Sequence, residues 1–180
     1  MEILIYQHNS NLSFDDYQSA LTGLISESCP NLVVDFQPVD LALGDFLEGW
    51  LTGQHDEDPF YHFENIAYGT SNAPPQSRLL TDIGEVTLTM KDKLKNYAKL
   101  SHAGWGFCSN DFLAFNYAPP EFRIRNLVHE SLHLFSVNDC YDKDLKSKSS
   151  CDNPKCIMRY GQSAVSIEIC SSVKNQLKSI

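Results

Sequence analysis

Residues 121–135 read EFRIRNLVHESLHLF, and this stretch decides how the chain is organised. Its apolar residues recur at helical spacing, which predicts a largely buried helix that ends near Ser136. Within this helix His129 and His133 are four residues apart, so their side chains lie on one face, one turn from each other. Two imidazoles in this arrangement can fill two corners of a zinc tetrahedron, at Zn–N distances of about 2.0–2.1 Å.

Glu130 follows the first histidine directly and is predicted to project beside the metal. From there it could accept a proton from a zinc-bound water, whose pKa the metal lowers toward ~7. The pattern His-x-x-x-His with this glutamate also arises by chance in ordinary helices. Its position on a helix, after a hairpin and before further ligands, favours metal binding.

A third ligand is expected at Asp139, ten residues after His129 and just beyond the end of the helix. Asp142 and Asp144 are alternative ligands, and Asp139 could instead be a solvated loop residue. With three protein ligands the fourth corner would hold water, which makes a site open and catalytic rather than closed and structural.

The cysteines form a second group of candidate ligands. Four of the six lie in the last 41 residues. Clustered cysteines in a chain without a leader more often bind metal than form a disulfide scaffold. Free buried thiols and disulfides remain alternatives, whereas the absence of a CxxC motif disfavours a redox function. The four are Cys140, Cys151, Cys156 and Cys170.

The N-terminal third alternates strand-like and helix-like segments. Met1–Gln7 and Leu32–Phe36 are predicted strands, and the helix between them begins after Ser13 and stops near Pro30. A second helix is predicted from Asp40. This β-α-β-α order predicts an α/β domain whose first strands are parallel.

The middle of the chain is predicted to contain a long loop, residues 52–78, followed by a helix at Lys91–Leu100. Trp105–Cys108 and Phe112–Tyr117 are strand-like and flank a Ser-Asn-Asp turn signal. We therefore expect these two segments to form a hairpin immediately before the helix of His129.

Composition limits the function classes. A chain of 180 residues suits one domain, and its formal charge of −9 argues against nucleic acid as a partner. No segment approaches the ~18 consecutive apolar residues of a membrane helix, so we expect no membrane partner. The N-terminus lacks the features of a secretory signal, which favours a cytoplasmic location. The oligomeric state is left open.

The sequence HESLHLFSVNDC resembles the zinc signature HExxHxxGxxH/D of the metzincin peptidases. More narrowly, it is similar to the archaemetzincins, in which the signature ends in His-Cys, here Asp139-Cys140. The segment CDNPKCIM also resembles the family's cysteine-rich segment around its methionine. By this resemblance Met158 is the Met-turn residue, an apolar support beneath the zinc. The resemblance is specific over residues 104–170.

The resemblance implies a single metzincin-like α/β domain over residues 1–180. Residues 1–136 would form an upper part with a mixed twisted sheet, helices and the active-site helix. Residues 137–180 would form a lower part with the third ligand, the Met-turn, the cysteine cluster and a last helix near residues 163–178. The activity implied is zinc-dependent hydrolysis of peptide bonds in a peptide or protein, with Glu130 as general base. An edge strand would bind the substrate through Ala114, Phe115, Asn116 and Tyr117.

Three departures from the family pattern affect these expectations. Ser136 replaces the glycine at which the chain turns, so it must tolerate or avoid a left-handed conformation. Asp139 replaces the third histidine, and the final CxxC is reduced to its first cysteine, Cys170. Cys151 is an additional cysteine that could restore the four ligands of the family's structural zinc. We therefore expect two zinc ions, one catalytic and one structural. The alternative function is an inactive, zinc-stabilised protein-interaction module.

Overall fold

The computed structural model describes residues 2–8, 13–38, 78–83, 106–109, 113–117, 122–141, 151–159 and 166–180. The predicted helices from Asp40 and at Lys91–Leu100, and all of the predicted loop except its last residue, lie outside these ranges. The strands are β1 (Glu2–His8), β2 (Asp35–Pro38), β3 (Arg78–Ile83), β4 (Gly106–Ser109) and β5 (Leu113–Tyr117). The helices are α1 (Phe14–Ser28), α2 (Arg123–His133) and α3 (Ser171–Leu177).

The strands form one five-stranded mixed sheet in the order β2-β1-β3-β5-β4. β1 pairs in parallel with β2 and β3, and β3 pairs in parallel with β5. Only β4 is antiparallel to its neighbour, β5. The predicted parallel start and the predicted hairpin are therefore confirmed. The metzincin assignment is not decided by this topology and stays a prediction.

The predicted position of the substrate-binding edge strand is wrong. β5, which contains Ala114–Tyr117, is paired on both sides, because Phe115 lies opposite Thr81 of β3 and opposite Phe107 of β4. A strand with two partners has no unpaired backbone edge to offer a peptide. The outer strand on this side of the sheet is β4. The error arose from chain order, since the last strand before α2 is not the outermost one.

α1 begins and ends where its sequence predicts. The Ser13 hydroxyl accepts a hydrogen bond from the backbone N–H of Asp16 at 3.3 Å and caps the first turn. The helix ends at Ser28, two residues before Pro30, which cannot continue a helix. One face of α1 is buried, and it carries Tyr17, Leu21, Leu24 and Ile25.

A buried hydrogen bond joins α1 to α2. The Ser131 hydroxyl donates to the carbonyl oxygen of Leu127 at 2.6 Å. Its oxygen therefore accepts from the Tyr17 hydroxyl, 2.8 Å away. This bond fixes the rotation of α2 one residue after Glu130, while the α2 residues Val128 and Leu132 are fully buried in the core. α2 also contacts β5 and β4, so the helix that carries the histidines rests on the sheet.

The last helix is shorter than predicted, because α3 begins only at Ser171. Before it, Glu168 forms a β-bridge with Cys156 and accepts a hydrogen bond from the N–H of Ile157 at 2.7 Å. This pairing holds the chain extended up to Cys170. Among the described residues, no helix combines the length and apolar character needed to cross a membrane.

Candidate metal centre

His129 and His133 lie side by side on the last turns of α2. Their ring centroids are 5.0 Å apart and the rings are nearly perpendicular, at 89°. Both side chains are mostly buried but keep a small exposed surface. With Asp139 and Glu130 they make up the group that we call the histidine site.

Backbone carbonyl groups hold both imidazoles. The Nδ1 atom of His133 is 2.7 Å from the oxygen of Val137, and Nδ1 of His129 is 2.9 Å from the oxygen of Ile157. A carbonyl oxygen only accepts hydrogen bonds, so each Nδ1 carries the proton. Each Nε2 then keeps its lone pair for a metal, which is the arrangement found in metal-binding histidines.

The way α2 ends places the carbonyl of Val137. Ser136 adopts a left-handed conformation with φ of 59°. Its N–H bonds to the oxygen of His133 at 2.8 Å, and the N–H of Val137 bonds to the oxygen of Leu132 at 3.2 Å. These two bonds define a Schellman motif, which is completed by the buried side chains of Val137 and Leu132. Ser136 therefore tolerates the left-handed conformation, at a cost of about 1–2 kcal/mol.

Asp139, the predicted third ligand, lies close to both histidines, and its ligand role stays a prediction. Its Oδ1 atom is 3.5 Å from Nε2 of His129 and 3.5 Å from Nε2 of His133. A tetrahedral zinc site with bonds of about 2.0–2.1 Å has ligand-to-ligand edges of about 3.3–3.4 Å. The spacing between the Asp139 carboxylate and each imidazole is therefore close to that of two corners of a zinc tetrahedron. The alternative ligands Asp142 and Asp144 lie outside the described residues.

The loop that carries Asp139 is attached to α3. The side-chain oxygen of Gln176 accepts from the backbone N–H of Asn138 at 2.8 Å and from its side-chain amide at 3.3 Å. The last helix thereby helps to hold the residue next to the third ligand.

Glu130 lies beside the ligands and is almost completely buried. Its Oε1 atom is 3.7 Å from Nε2 of His129. His129, Glu130 and His133 each offer one potential ligand atom. These three atoms all lie within 4.8 Å of one another. A molecule that occupied the fourth position of a metal here would be within reach of this carboxylate.

The four late cysteines also converge, and we call them the cysteine site. All four Sγ atoms lie within 4.8 Å of one another. Cys140 Sγ is 3.5 Å from Cys170 Sγ and 3.9 Å from Cys156 Sγ. A zinc tetrahedron with Zn–S bonds of about 2.3 Å has edges of about 3.8 Å. Cys29 and these four cysteines are free thiols, so the disulfide alternative is not adopted by the four.

The thiols of the cysteine site influence each other's ionisation. A hydrogen bond from Cys140 lowers the pKa of Cys156 to about 5, and the same bond raises the pKa of Cys140. Burial raises the pKa of Cys151 to about 11. One thiolate is thus stabilised by neighbours that keep their protons. Ionising all four requires a bound cation, and a divalent metal that accepts sulfur ligands meets that need.

Met158 lies next to both sites and is fully buried. Its backbone oxygen accepts from the N–H of Cys140 at 2.8 Å, and the preceding residue, Ile157, supplies the carbonyl that holds His129. Its predicted role as an apolar support beneath the metal is compatible with this position and stays a prediction.

Two features of the site were missed in the sequence. One is the pair of carbonyl groups from Val137 and Ile157, which any residue could supply and which no side-chain pattern reveals. The other is Arg125, a buried arginine one turn before His129. The sequence could have revealed Arg125, because its four-residue spacing from His129 places it on the same helix face as the histidines.

The molecule therefore contains two groups of candidate metal ligands that are compatible with zinc. No family model matches the sequence, and no similar curated protein or solved structure was found.

Proposed function

We propose that this protein is a zinc-dependent peptidase of the metzincin type and that it resembles the archaemetzincins. One observation carries the proposal: the Asp139 carboxylate lies at tetrahedral spacing from Nε2 of both imidazoles, with Glu130 beside them. Three protein ligands leave a position for water or substrate, which is typical of catalytic rather than structural zinc.

When bound, zinc would act as a Lewis acid that polarises the scissile carbonyl and lowers the pKa of a nearby water. The chain's own residues would do the rest. Glu130 would accept the proton of the attacking water and then donate it to the leaving amine. Asp139 would place a negative charge at the metal, where the archaemetzincin pattern has a neutral histidine. This charge is expected to weaken the Lewis acidity somewhat.

The outer strand β4 is the best candidate for holding an extended substrate. It pairs with β5 on one side and is the last strand of the sheet among the residues that the structure describes. A peptide backbone could add to its other side and become a further strand. We therefore transfer the expected substrate-binding role from Ala114–Tyr117 to Gly106–Ser109.

The cysteine site would hold a second zinc ion with four protein ligands. Such a closed site has no position for substrate and stabilises the fold. It would connect the loop after α2, the segment around Met158 and the start of α3, which carry the cysteines.

Glu130→Gln tests the catalytic part of the proposal. Glutamine has nearly the same shape but cannot accept the proton, so zinc content and thermal stability should match the parent. Loss of a positioned general base should lower peptide hydrolysis by about 10²–10⁴. The measurement is mass-spectrometric cleavage of a broad peptide library by the parent, by Glu130→Gln and by chelator-treated protein. Hydrolysis that persists in Glu130→Gln would contradict the proposal.

The second candidate function is an inactive zinc-stabilised interaction module. The cysteine site favours it, because a closed metal site can stabilise the C-terminal segment whether or not the histidine site is active. The two functions differ in whether the fourth metal position is open. A hydroxamate, which chelates open zinc sites, should bind the zinc-loaded peptidase. No hydroxamate binding together with no cleavage, with zinc present at both histidines, would establish the module instead.

A further inference from the structure

Arg125 and His129 bind the same backbone oxygen. Nη2 of Arg125 donates to the carbonyl oxygen of Ile157 at 3.0 Å, and Nδ1 of His129 lies 2.9 Å from that oxygen. A carbonyl oxygen has two lone pairs, so both bonds can exist together. The two side chains are one turn apart on α2 and therefore share a face of the helix. The guanidinium thus determines where the acceptor for His129 lies.

The backbone around Ile157 is also part of the cysteine site. Ile157 directly follows Cys156, and its N–H donates to the oxygen of Glu168 at 2.7 Å, two residues before Cys170. The next residue, Met158, accepts from the N–H of Cys140 at 2.8 Å. Segments that carry three of the four cysteines therefore meet at the carbonyl that orients His129.

Arg125 also suits the charge of the cysteine site. Its side chain is 9% exposed, and a buried guanidinium needs a compensating negative charge. Burial lowers the pKa of Arg125, while the charge of Cys156 opposes this effect. A zinc ion with four thiolate ligands carries net negative charge, so a neighbouring guanidinium would offset it.

We propose that Arg125 is a positioning residue that couples the two metal sites, because it holds the Ile157 carbonyl, next to Cys156, against His129. Arg125 contacts neither substrate nor metal in this arrangement and is not a catalytic residue. The inference rests on the zinc sites of the proposed function. It predicts that the conformation of the cysteine site affects the orientation of His129 through the carbonyl group of Ile157.

Arg125→Met is the first test, and Arg123→Met is its matched control. Arg123 is also a buried arginine of α2 and is 7% exposed. Because it is two residues from Arg125 in the sequence, it lies on a different side of the helix. Loss of a group that orients a metal ligand typically costs 10–100-fold in metal affinity. We expect a loss of about that size at the histidine site in Arg125→Met and parental affinity in Arg123→Met. Arg125→Lys, which keeps the charge and one donor, should fall between parent and Arg125→Met.

Chelator competition measures the zinc affinity of each site. Cobalt replacement separates the sites, because thiolate-to-metal charge transfer marks the cysteine site alone. Parental affinity of the histidine site in Arg125→Met would overturn the inference. An equal loss in Arg123→Met would also overturn it, since the effect would then be a general loosening of α2. If the parent itself binds no zinc at His129 and His133, both the inference and the proposed function are wrong.

If Arg125→Met does not fold, the unmodified protein still decides the question. In nitrogen-15 arginine spectra, the Nη signals of Arg125 should shift when zinc is added to protein whose cysteine site is already filled. Those of Arg123 should not shift. An unchanged Arg125 signal on filling of the histidine site would overturn the inference.

Discussion

The histidine site and the cysteine site lie within the same C-terminal region, but they are built differently. In the histidine site, backbone carbonyls hold both imidazoles through their Nδ1 atoms. In the cysteine site, the ligand atoms contact each other and three of the four residues are fully enclosed. The first offers three protein ligands with a glutamate beside them, and the second offers four.

This difference indicates what each metal would do. The imidazoles of the histidine site are oriented by hydrogen bonds to backbone carbonyls, so we expect the site to gain and lose an ion while the fold persists. The cysteine site concentrates ionisable thiols at short distances, and it needs a cation before all four can ionise. Metal binding at such a site is part of the free energy of folding. The predictions below test this contrast.

The largest effect is expected for Cys156→Ser. A structural zinc site contributes an apparent free energy of about 10–16 kcal/mol in small zinc domains. That amount is comparable to the whole stability of a typical domain, about 5–15 kcal/mol. We expect Cys156→Ser to lose the zinc of the cysteine site and the order of the C-terminal region, seen by elemental analysis and thermal unfolding. Cys29→Ser is the control, because Cys29 is also a free thiol but does not belong to the cysteine site. Equal melting temperatures for both variants would contradict a structural role of the cysteine site.

Asp139→Ala should affect only the histidine site. Removal of one of three protein ligands should weaken zinc binding there by more than the roughly 10–100-fold typical of an outer-shell group. The fold and the zinc of the cysteine site should remain, which elemental analysis and circular dichroism would show. Asp139→His should bind zinc at least as well as the parent, because it supplies a third imidazole ligand at the same spacing. Unchanged affinity in Asp139→Ala would transfer the ligand role to Asp142 or Asp144.

A smaller effect is expected for Ser136→Gly. Glycine adopts the left-handed conformation of this position without the steric cost of a β-carbon, although it loses more entropy on folding. The net gain in unfolding free energy should be about 0.5–1 kcal/mol, measured by denaturant unfolding of the zinc-loaded protein. Ser136→Ala, which keeps the β-carbon, should show no such gain. A gain in both variants would assign the effect to the serine hydroxyl instead.

The smallest effect is expected for Gln176→Ala. It removes the two hydrogen bonds that join α3 to Asn138, next to the third ligand. Because a hydrogen bond contributes about 0.5–1.5 kcal/mol and Asn138 is exposed, zinc affinity at the histidine site should fall by at most about tenfold. Gln176→Glu keeps the accepting oxygen and should remain close to the parent in the same competition assay. A larger loss at the cysteine site than at the histidine site would contradict this connection.

The sequence predicted those features that depend on side-chain identity and regular spacing. His129 and His133 were placed on one helix face by their four-residue interval, and the apolar pattern of α2 predicted its burial. Asp139 was chosen by its distance from His129, and the structure brings its carboxylate to both imidazoles. The four cysteines were grouped by their position in the chain, and their sulfur atoms do converge.

The features that were missed depend on backbone geometry over long distances. β3 begins at the end of the predicted loop, and its six residues carry no strong alternating pattern. The order of the sheet could not be read from the chain, so the edge was assigned to β5 instead of β4. Likewise, the carbonyl of Ile157 reaches His129 only because residues 28 positions apart are brought together by folding.

The Schellman motif after α2 restricts the number of residues that can separate His133 from Asp139. The turn at Ser136 both ends the helix and presents the carbonyl that orients His133. Its hydrogen bonds define the number of residues between His133 and Asp139, so that the carboxylate returns to the imidazoles. Inserting or deleting even one residue in this interval would shift the ligand out of register. We therefore expect this interval to tolerate substitutions better than changes in length.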